Sequence, residues 1–411
     1  MTTTIAPETP KKPARINLRR PDIMEAVHNQ VEEHYRSLII EKLRERGNIL
    51  SAGGLTVRLA KEFGFCYGVE RAIDLAYAAR KVFPEQPIYI LGEIIHNPAV
   101  NDQIRAMGVK FLSGHYKEAS IDDLKEGDVV IVPAFGTEVE TMKKLEAKGC
   151  QLVDTTCGDV MSVWKRVRQY ATDNVTSIIH GKAWHEETMA TSSRARGNGG
   201  GKYLVVYDLA ETDYICNAIR KGVNKQEFLE KFKGATSPDF DPDRDLAAIG
   251  VANQTTMLRG ETEEVQRRLK QAMIDRYGPE QLDKHFRFFD TICGATQERQ
   301  DALKHLLKEP LDLMIVVGGY NSSNTSHLAE MSELQGVSTF FIKDASKILS
   351  DRTIEHYNLK KKEEVQTENW LPSGELYVGV TAGASCPNNL IDETIRRLFE
   401  LRHISVDDLL R

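Results

Sequence analysis

Cysteine occurs three times in the same local setting along this sequence, each time at a position suited to thiolate chemistry. Cys157 follows the short apolar run 151–153 and Cys293 follows the run 286–289, and a segment of helical spacing comes after each. A more diverged copy, Cys66, also stands between a strand-like run and a helical one. Each thiol is therefore predicted at a helix N-terminus, where unpaired N–H groups and about half a positive charge favour the thiolate. A thiolate is the form that binds metal or attacks an electrophile.

Two interpretations of these cysteines are open from the residues alone. The sequence contains no C-x-x-C pair, which argues against a zinc ribbon and against a thioredoxin-type motif. Three thiolates brought together from three separate segments suit an iron–sulfur cluster, which normally takes four protein ligands, so one iron would stay open for a substrate. The alternative is packing, because free cysteines are often small buried hydrophobes.

Polar clusters follow several of the predicted strands, where a ligand would be expected to bind. Small hydroxyls, amides and glycines at helix N-termini can cradle an anion through backbone N–H groups. Taken singly, each cluster is more typical of a helix cap, and no phosphate loop of the G-x-x-x-x-G-K-[ST] type is present. Their joint occurrence indicates a pocket for a small, multiply anionic ligand. The clusters are 93–98, 180–188, 253–256, 318–325 and 381–386.

The stretch His185-Glu186-Glu187 contains the best acid–base candidate, because a carboxylate beside a metal site can relay protons. The His-x-Glu pattern by itself is more often a surface feature than a catalytic one. It is not H-E-x-x-H, so a zinc peptidase is not predicted.

The elements that must position these residues alternate between short strands and helices, which predicts parallel α/β sheets. The predicted strands form three groups of four, and each group opens with a strand that leads to one of the three cysteines. We therefore expect three similar α/β lobes facing one axis, with ligands beyond the carboxyl ends of the strands. Such an arrangement would bring the three cysteines to a common centre, which would be an iron–sulfur site if the thiols bind metal. The predicted units are an arm and capping helix at 1–54 and lobes at 55–150, 151–286 and 287–411. The predicted strands are 56–60, 88–91, 110–112, 129–132, 151–153, 177–179, 203–206, 247–251, 287–289, 314–317, 339–342 and 377–380.

Composition excludes several classes of partner. The 411 residues carry 54 Lys and Arg against 60 Asp and Glu, a net charge of −6, so neither a nucleic acid nor a membrane surface is an expected partner. No apolar run reaches the roughly 18 residues of a spanning helix, and residues 1–20 have no apolar core of a secretory signal. Six cysteines without paired spacing fit a reducing compartment, so the expected location is the cytoplasm.

Six motifs, in order along the chain, resemble those of the 4-hydroxy-3-methylbut-2-enyl diphosphate reductase family in its long, plant and cyanobacterial form. The resemblance runs from about Ala60 to the C-terminus. The motifs are Gly64-Phe65-Cys66, Glu93-Ile94-Ile95-His96-Asn97, Thr155-Thr156-Cys157, Gln254-Thr255-Thr256, Asn321-Ser322-Ser323-Asn324 and Gly383-Ala384-Ser385. The loop at 237–242 points to the same branch. That family has three α/β lobes around a [4Fe–4S] cluster with three cysteine ligands.

The resemblance implies a two-electron reductive dehydroxylation of an allylic diphosphate to isopentenyl and dimethylallyl diphosphates, the last step of the non-mevalonate isoprenoid route. One cluster per chain would be held by Cys66, Cys157 and Cys293, with one open iron for the substrate hydroxyl. Thr255 and Glu187 would supply protons. The residues implied to hold the diphosphate are His96, His185, Ser322, Ser323, Asn324 and Ser385. The implied electron donor is a ferredoxin or flavodoxin, and the chain would be a monomer or homodimer.

Two positions depart from the family pattern. Phe135 stands in a loop where many members carry a histidine, although the plant-like branch resembles this sequence there. Cys386, beside Ser385, stands where relatives usually have a small or non-thiol residue, on a loop expected to face the pocket. We predict that Cys386 is not a cluster ligand, because a fourth thiolate would close the open iron. Cys150 and Cys216 are predicted to be packing residues.

Two rival functions remain on the sequence alone. An oxygen-sensing iron–sulfur regulator would use the same three thiolates and would leave the polar loops unexplained. An iron–sulfur hydro-lyase would use an open iron without external electrons.

Overall fold

The structure is a computed structural model that describes residues 18, 20–197, 199–289 and 291–410. The predicted arm at 1–20 lies outside the described residues except for positions 18 and 20. The helices are α1 Pro21–Tyr35, α2 Leu38–Glu45, α3 Tyr67–Val82, α4 Pro98–Ala106, α5 Val139–Ala147, α6 Gly158–Thr172, α7 Glu186–Ala195, α8 Leu209–Lys221, α9 Lys225–Lys231, α10 Pro242–Asp245, α11 Arg259–Tyr277, α12 Leu282–His285, α13 Gly294–Leu306, α14 Ser323–Leu334, α15 Asn388–Glu400 and α16 Val406–Leu409.

All twelve predicted strands overlap strands of the structure. The strands are β1 Ile49–Ala52, β2 Leu55–Leu59, β3 Ile88–Ile90, β4 Val109–Phe111, β5 Val129–Val132, β6 Gln151–Asp154, β7 Thr176–His180, β8 Tyr203–Val206, β9 Ile249–Asn253, β10 Phe286–Phe288, β11 Leu313–Val317, β12 Ser338–Ile342, β13 Thr353–Asn358, β14 Glu363–Glu368 and β15 Leu376–Ala382.

Three sheets share one topology, which confirms the predicted α/β class with parallel sheets. Their orders are β4-β3-β5-β6, β8-β7-β9-β10 and β12-β11-β15-β2, and every pairing within these orders is parallel. With β2 counted after β15, the strands of each sheet lie side by side in the order second, first, third and fourth. β1 adds one antiparallel strand beside β2. Strands such as β5 and β11 are buried at every residue, as expected when helices cover both faces of a parallel sheet.

The predicted grouping of the strands is wrong by one strand. The strand that leads to each cysteine is the fourth of its sheet and not the first: β6 pairs with β5, and β10 pairs with β9. The strand that leads to Cys66, β2, pairs with β15 at the other end of the chain. Periodicity identifies a strand but not its partner, because pairing depends on contacts distant in sequence. The division at 55, 151 and 287 stays a prediction for the units, although the pairing places 151–154 in the first sheet.

The predicted N-terminal capping helix is two helices. The extended backbone of Arg36 and Ser37 separates α1 from α2, and the Ser37 hydroxyl caps α2 by accepting a hydrogen bond from the Ile40 N–H at 3.1 Å. Val27 of α1 is fully buried in the core of the first unit, and α2 packs in the core of the third. None of the described helices is long and apolar enough to cross a membrane.

A polar hairpin, β13 and β14, stands apart from the three sheets and was not predicted. Its strands pair antiparallel from Thr353↔Glu368 to Asn358↔Glu363. The turn between them carries Lys360, Lys361 and Lys362. Its strands are largely polar, so they lack the apolar alternation by which the other strands were identified.

Candidate active site

The three recurrent cysteines are the N-cap residues of α3, α6 and α13, as predicted from their position between strand and helix. All three have extended backbone, and none uses its side chain to cap its own helix. The thiols of Cys66, Cys157 and Cys293 are thus left available to an external group. They line one cavity of about 700 Å³.

The same backbone hydrogen bond anchors each cysteine turn. The cysteine N–H donates to a carbonyl in the loop that follows the third strand of the same sheet. The acceptors are Ala384 for Cys66 at 3.2 Å, Ala134 for Cys157 at 2.8 Å and Thr255 for Cys293 at 3.3 Å. The repeated bond explains why three turns of different sequence place their thiols alike.

Arginines connect each cysteine helix to the turn of the next cysteine. Arg71 on α3 donates to the carbonyls of Thr155 and Thr156 at 3.1 and 2.9 Å, just before Cys157. Arg166 on α6 stacks on the ring of Phe289, 3.9 Å from its centroid, ahead of Cys293. Arg299 on α13 donates to the Gly64 carbonyl at 2.6 Å, ahead of Cys66. The three contacts join the three units in a ring.

Gly68 shows how closely two of the thiols approach. A Cβ on Gly68 would lie 2.6 Å from the Cys157 Sγ and 3.9 Å from the Cys66 Sγ. Real Cβ atoms essentially never show the first distance, so only glycine leaves the thiols room here. The first turn of α3 therefore lies directly against two candidate ligands.

Burial opposes the thiolate that the helix N-termini were expected to favour. It raises the pKa of Cys157, and it raises the pKa of Cys293 to about 12, with further contributions from the nearby Asp159. Thiols in this setting ionise when a cation takes the place of the proton. Three converging sulfur donors in an apolar cavity fit an iron–sulfur cluster, whose ligands are cysteine thiolates.

The N-terminus of α14 presents unpaired donors to the same cavity. Ser322 is the N-cap, and its Oγ accepts a hydrogen bond from the N–H of Thr325 at 3.3 Å. The Oγ of Ser323 and the Nδ2 of Asn324 are buried without a hydrogen-bond partner among the described residues. Asn324 is oriented by its Oδ1, which accepts from the Ala384 N–H at 2.9 Å. Two orphaned donors at a helix N-terminus are suited to binding an anion.

His96 completes one side of this cradle. Its Nδ1 lies 2.9 Å from a Glu93 carboxylate oxygen, and its ring stacks on Phe135 with centroids 4.6 Å apart. The Nε2 of His96 is buried and has no hydrogen-bond partner among the described residues, although the Glu186 carboxylate lies 3.6 Å away. Ser385 supports the loop by donating to the His96 carbonyl at 3.2 Å.

His185 is held as a neutral donor. As the N-cap of α7 its Nδ1 accepts a hydrogen bond from the Glu187 N–H at 3.2 Å, so the ring proton is on Nε2. Burial lowers the pKa of His185 well below its ordinary value, with His96 and Lys182 adding to the effect. His96, His185 and Glu186 place possible metal-ligand atoms within 4.8 Å of one another. In this tautomer the Nε2–H of His185 can donate a hydrogen bond to an anion in the cavity.

Glu187 and Thr255 form a buried hydrogen-bonded pair. Glu187 accepts from the Thr255 N–H at 2.6 Å and from the Thr255 hydroxyl at 3.0 Å. Burial raises the pKa of Glu187 to about 7, although both hydrogen bonds oppose the shift. A carboxyl group that titrates near neutrality can hold and release a proton at working pH.

All eleven residues predicted for the site line this single cavity. They fall into three classes: cysteines after the fourth strands, Thr255 and Ser385 after third strands, and the remaining residues after the first strands. The first and third strands are where the order of each sheet reverses, the usual place for a ligand in such folds.

Sequence reasoning missed Gly68, Asp159 and Thr296, which also line the cavity. Gly68 lies two residues after Cys66, as Asp159 does after Cys157, so the first helical turn after each cysteine was a usable signal. One expectation is wrong: Cys386 does not face the cavity but is fully buried in the apolar core of the third unit. Cys150 and Cys216 are packing residues, as predicted.

Comparison with known proteins agrees with this geometry. The family model described as LytB protein matches residues 57–399. A 4-hydroxy-3-methylbut-2-enyl diphosphate reductase of Gloeobacter violaceus is 48% identical over 382 residues, covering 92% of this chain and 90% of that protein. The reductase of the same name from Nostoc sp. is 48% identical over 376 residues, covering 92% of each chain.

Two solved structures are similar as well. One, described as (E)-4-hydroxy-3-methyl-but-2-enyl diphosphate reductase, the terminal enzyme of the non-mevalonate pathway, is 27% identical with a TM-score of 0.51, covering 84% of this chain and 99% of that chain. The other, a Plasmodium falciparum reductase, shares the fold at 22% identity with a TM-score of 0.60, covering 82% of this chain and 86% of that chain. With the family match spanning most of its length, the chain belongs to the LytB family.

Proposed function

We propose that this chain catalyses the two-electron reduction of (E)-4-hydroxy-3-methylbut-2-enyl diphosphate to isopentenyl and dimethylallyl diphosphates, the last step of the non-mevalonate isoprenoid pathway. The allylic C–O bond is cleaved, two electrons and two protons are consumed, and water leaves. The observation that carries the proposal is the convergence of three N-cap thiols and a cradle of unpaired donors on one cavity.

Cys66, Cys157 and Cys293 would hold one [4Fe–4S] cluster per chain. When bound, the cluster supplies the electrons and, at an iron without a protein ligand, a Lewis acid for the substrate hydroxyl. The fit rests on the donor set: three thiols and the space that Gly68 leaves between them.

The diphosphate is held by polar side chains that line the cavity, of which Ser323 Oγ and Asn324 Nδ2 have no hydrogen-bond partner among the described residues. Ser323 and Asn324 donate from the start of α14, and His185 donates from Nε2. The remaining members of the set are His96, Ser322 and Ser385. The diphosphate end of the substrate is then bound by different side chains from those that act on its hydroxyl end.

Glu187 and Thr255 form the proton relay. At pH 7 about half of the Glu187 carboxyl groups carry a proton, because the pKa lies near that value. The proton on Glu187 passes to the Thr255 oxygen as the hydroxyl releases its own proton into the cavity, a transfer that the 3.0 Å separation allows. Without a proton at the departing oxygen, hydroxide would have to leave.

Electrons come from a one-electron carrier protein, for which we propose a ferredoxin or flavodoxin. The test is anaerobic purification followed by assay with a chemical reductant. We expect a brown protein that turns over only when reductant is supplied. Redox-neutral turnover would instead identify a hydro-lyase, and a cluster without turnover would identify a regulator.

A further inference from the structure

A second cavity, the outer basin, adjoins the candidate active site and has no role in the proposed reaction. It has a volume of about 1550 Å³ and shares His96 and His185 with the inner cavity. Its wall includes Lys182, Trp184, Tyr207, His327, Lys360 and Lys362. A ligand that leaves the inner cavity past the two histidines enters this space.

Lys182 is the central cation of the outer basin. It lies on the loop between β7 and α7, where Gln254 Oε1 accepts from its backbone N–H at 3.1 Å. Its ammonium group has no ion-pair partner within the described part of the chain. Its charge helps to lower the pKa of His185. The pKa of Lys182 is itself lowered by burial and, to a smaller extent, by the charge of Lys362, while the charge of Glu330 opposes the shift. A row of side chains thus leads from the tip of the hairpin to the inner cavity, in the order Lys362, Lys182 and His185.

Two carboxylates that line the outer basin, Glu330 and Glu186, each lie beside a histidine ring. Glu330 lies 3.2 Å from the Nδ1 of His327, which lowers the pKa of this carboxyl group. Glu186 lies 3.6 Å from the Nε2 of His96, and burial raises the pKa of Glu333. The charges of Glu330 and Lys182 attract each other. No carboxylate of the described residues lies within ion-pair distance of the Lys182 ammonium, however, so this group can contact an added anion.

His327 supplies an independent indication of a ligand. Its side chain is 8% exposed, it lines the outer basin, and its Nε2 has no hydrogen-bond partner among the described residues. A buried ring nitrogen left unpaired costs free energy unless a ligand or water satisfies it. Trp184 and Tyr207, whose ring centroids are 5.9 Å apart, add an exposed aromatic wall.

We propose that the outer basin is a second binding site for a diphosphate group, built on Lys182 and His327 with Lys360 and Lys362 at its rim. There it captures the allylic diphosphate before transfer past His96 and His185, and it receives the products on their way out. This inference rests on the proposed function only for the identity of the diphosphate compound that moves through the outer basin.

The test is calorimetric binding of inorganic diphosphate to the cluster-loaded protein. The inner cradle is first disabled by the double substitution Ser323→Ala and Asn324→Leu, and we expect binding to persist at the outer basin. Adding Lys182→Met should weaken this residual binding by about tenfold or more, because a charge-assisted hydrogen bond to the diphosphate is lost. Lys182→Arg should retain most of it.

Lys361→Met is the matched control, because Lys361 shares the hairpin turn and the charge but does not line the outer basin. We expect it to change the residual affinity less than twofold. Absence of residual binding, or equal effects of Lys182→Met and Lys361→Met, would overturn the inference. Iron content and thermal unfolding of each variant report whether the fold is kept. Reductant-driven turnover of the unsubstituted protein judges the proposed function separately, because diphosphate binding needs no electrons.

Discussion

Replacing Glu187 by glutamine separates proton supply from substrate binding. Glutamine has the size of glutamate, and its Oε1 can still accept from the Thr255 N–H, now 2.6 Å from the carboxylate. The Thr255 hydroxyl, now donating at 3.0 Å, would turn to accept from the new amide. The geometry is therefore retained while the titratable proton is lost.

The expected loss follows from the chemistry assigned to Glu187. General acid assistance is worth about 10²- to 10⁴-fold in rate, so turnover should fall by that factor. In the unsubstituted protein turnover should decline as pH rises through about 7, because the pKa of Glu187 lies there and the proton is lost above it. The substituted protein should lose this dependence. Affinity for inorganic diphosphate should change little, since the diphosphate is held by other side chains.

The pH dependence of protein stability provides a second measurement of the Glu187 titration. The pKa of Glu187 is raised in the folded protein, from an ordinary 4.5 to about 7. The contribution of the Glu187 carboxyl group to the free energy of unfolding is therefore complete below pH 4.5 and is lost as pH rises to about 7. At about 1.4 kcal/mol for each pH unit of that interval the loss is about 3 kcal/mol. Relative to the unsubstituted protein, Glu187→Gln should become more stable across this interval.

The assays are reductant-driven turnover from pH 6 to pH 9, diphosphate calorimetry, and chemical unfolding over the stability interval. Thr255→Ser, which keeps the hydroxyl, is the matched control and should retain most of the activity. Turnover within a factor of three of normal in Glu187→Gln would refute the relay. Lost diphosphate binding with an unchanged maximal rate would make Glu187 a substrate anchor instead.

Three further outcomes are expected from the geometry. Gly68→Ala should fold but lose most of its iron, because the new Cβ would lie 2.6 Å from the Cys157 Sγ; iron and sulfide analysis measures this, and full loading would contradict it. Cys157→Ser should lose the cluster, whereas Cys386→Ser should keep it, because Cys386 is fully buried in an apolar core; cluster absorbance in both variants is the check. Arg299→Met should keep the secondary structure and lose iron faster in the presence of a chelator, because the 2.6 Å hydrogen bond to the Gly64 carbonyl is removed. An unchanged rate of iron loss would show that this bond does not help to hold the Cys66 turn in place.

The sequence was most informative where structure is determined locally. The strand-to-helix positions of the cysteines follow from short apolar runs and helical spacing, which the backbone obeys without distant partners. The polar loops could be identified for the same reason. Their convergence on one cavity was expected from parallel topology and from the family resemblance.

What the sequence did not reveal depends on distant contacts. The placement of β2 beside β15 has no local signal, and neither does the bond from Arg299 to the Gly64 carbonyl. Cys386 was expected at the cavity because its loop is there, but its own side chain points into the apolar core. The neighbour Ser385 does line the cavity, so one residue of register decided the difference.

The pairing of β2 with β15 fixes the order in which the protein can mature. Leu55 pairs with Leu376 and Leu59 with Val380, so the third sheet needs both ends of the chain. During synthesis the first two units can fold as they leave the ribosome. The turn that carries Cys66 gains its hydrogen bond to Ala384 only when the last strands have been made. Iron delivered to a nascent chain would thus meet two anchored thiols at most, and complete cofactor loading becomes a step that follows release from the ribosome.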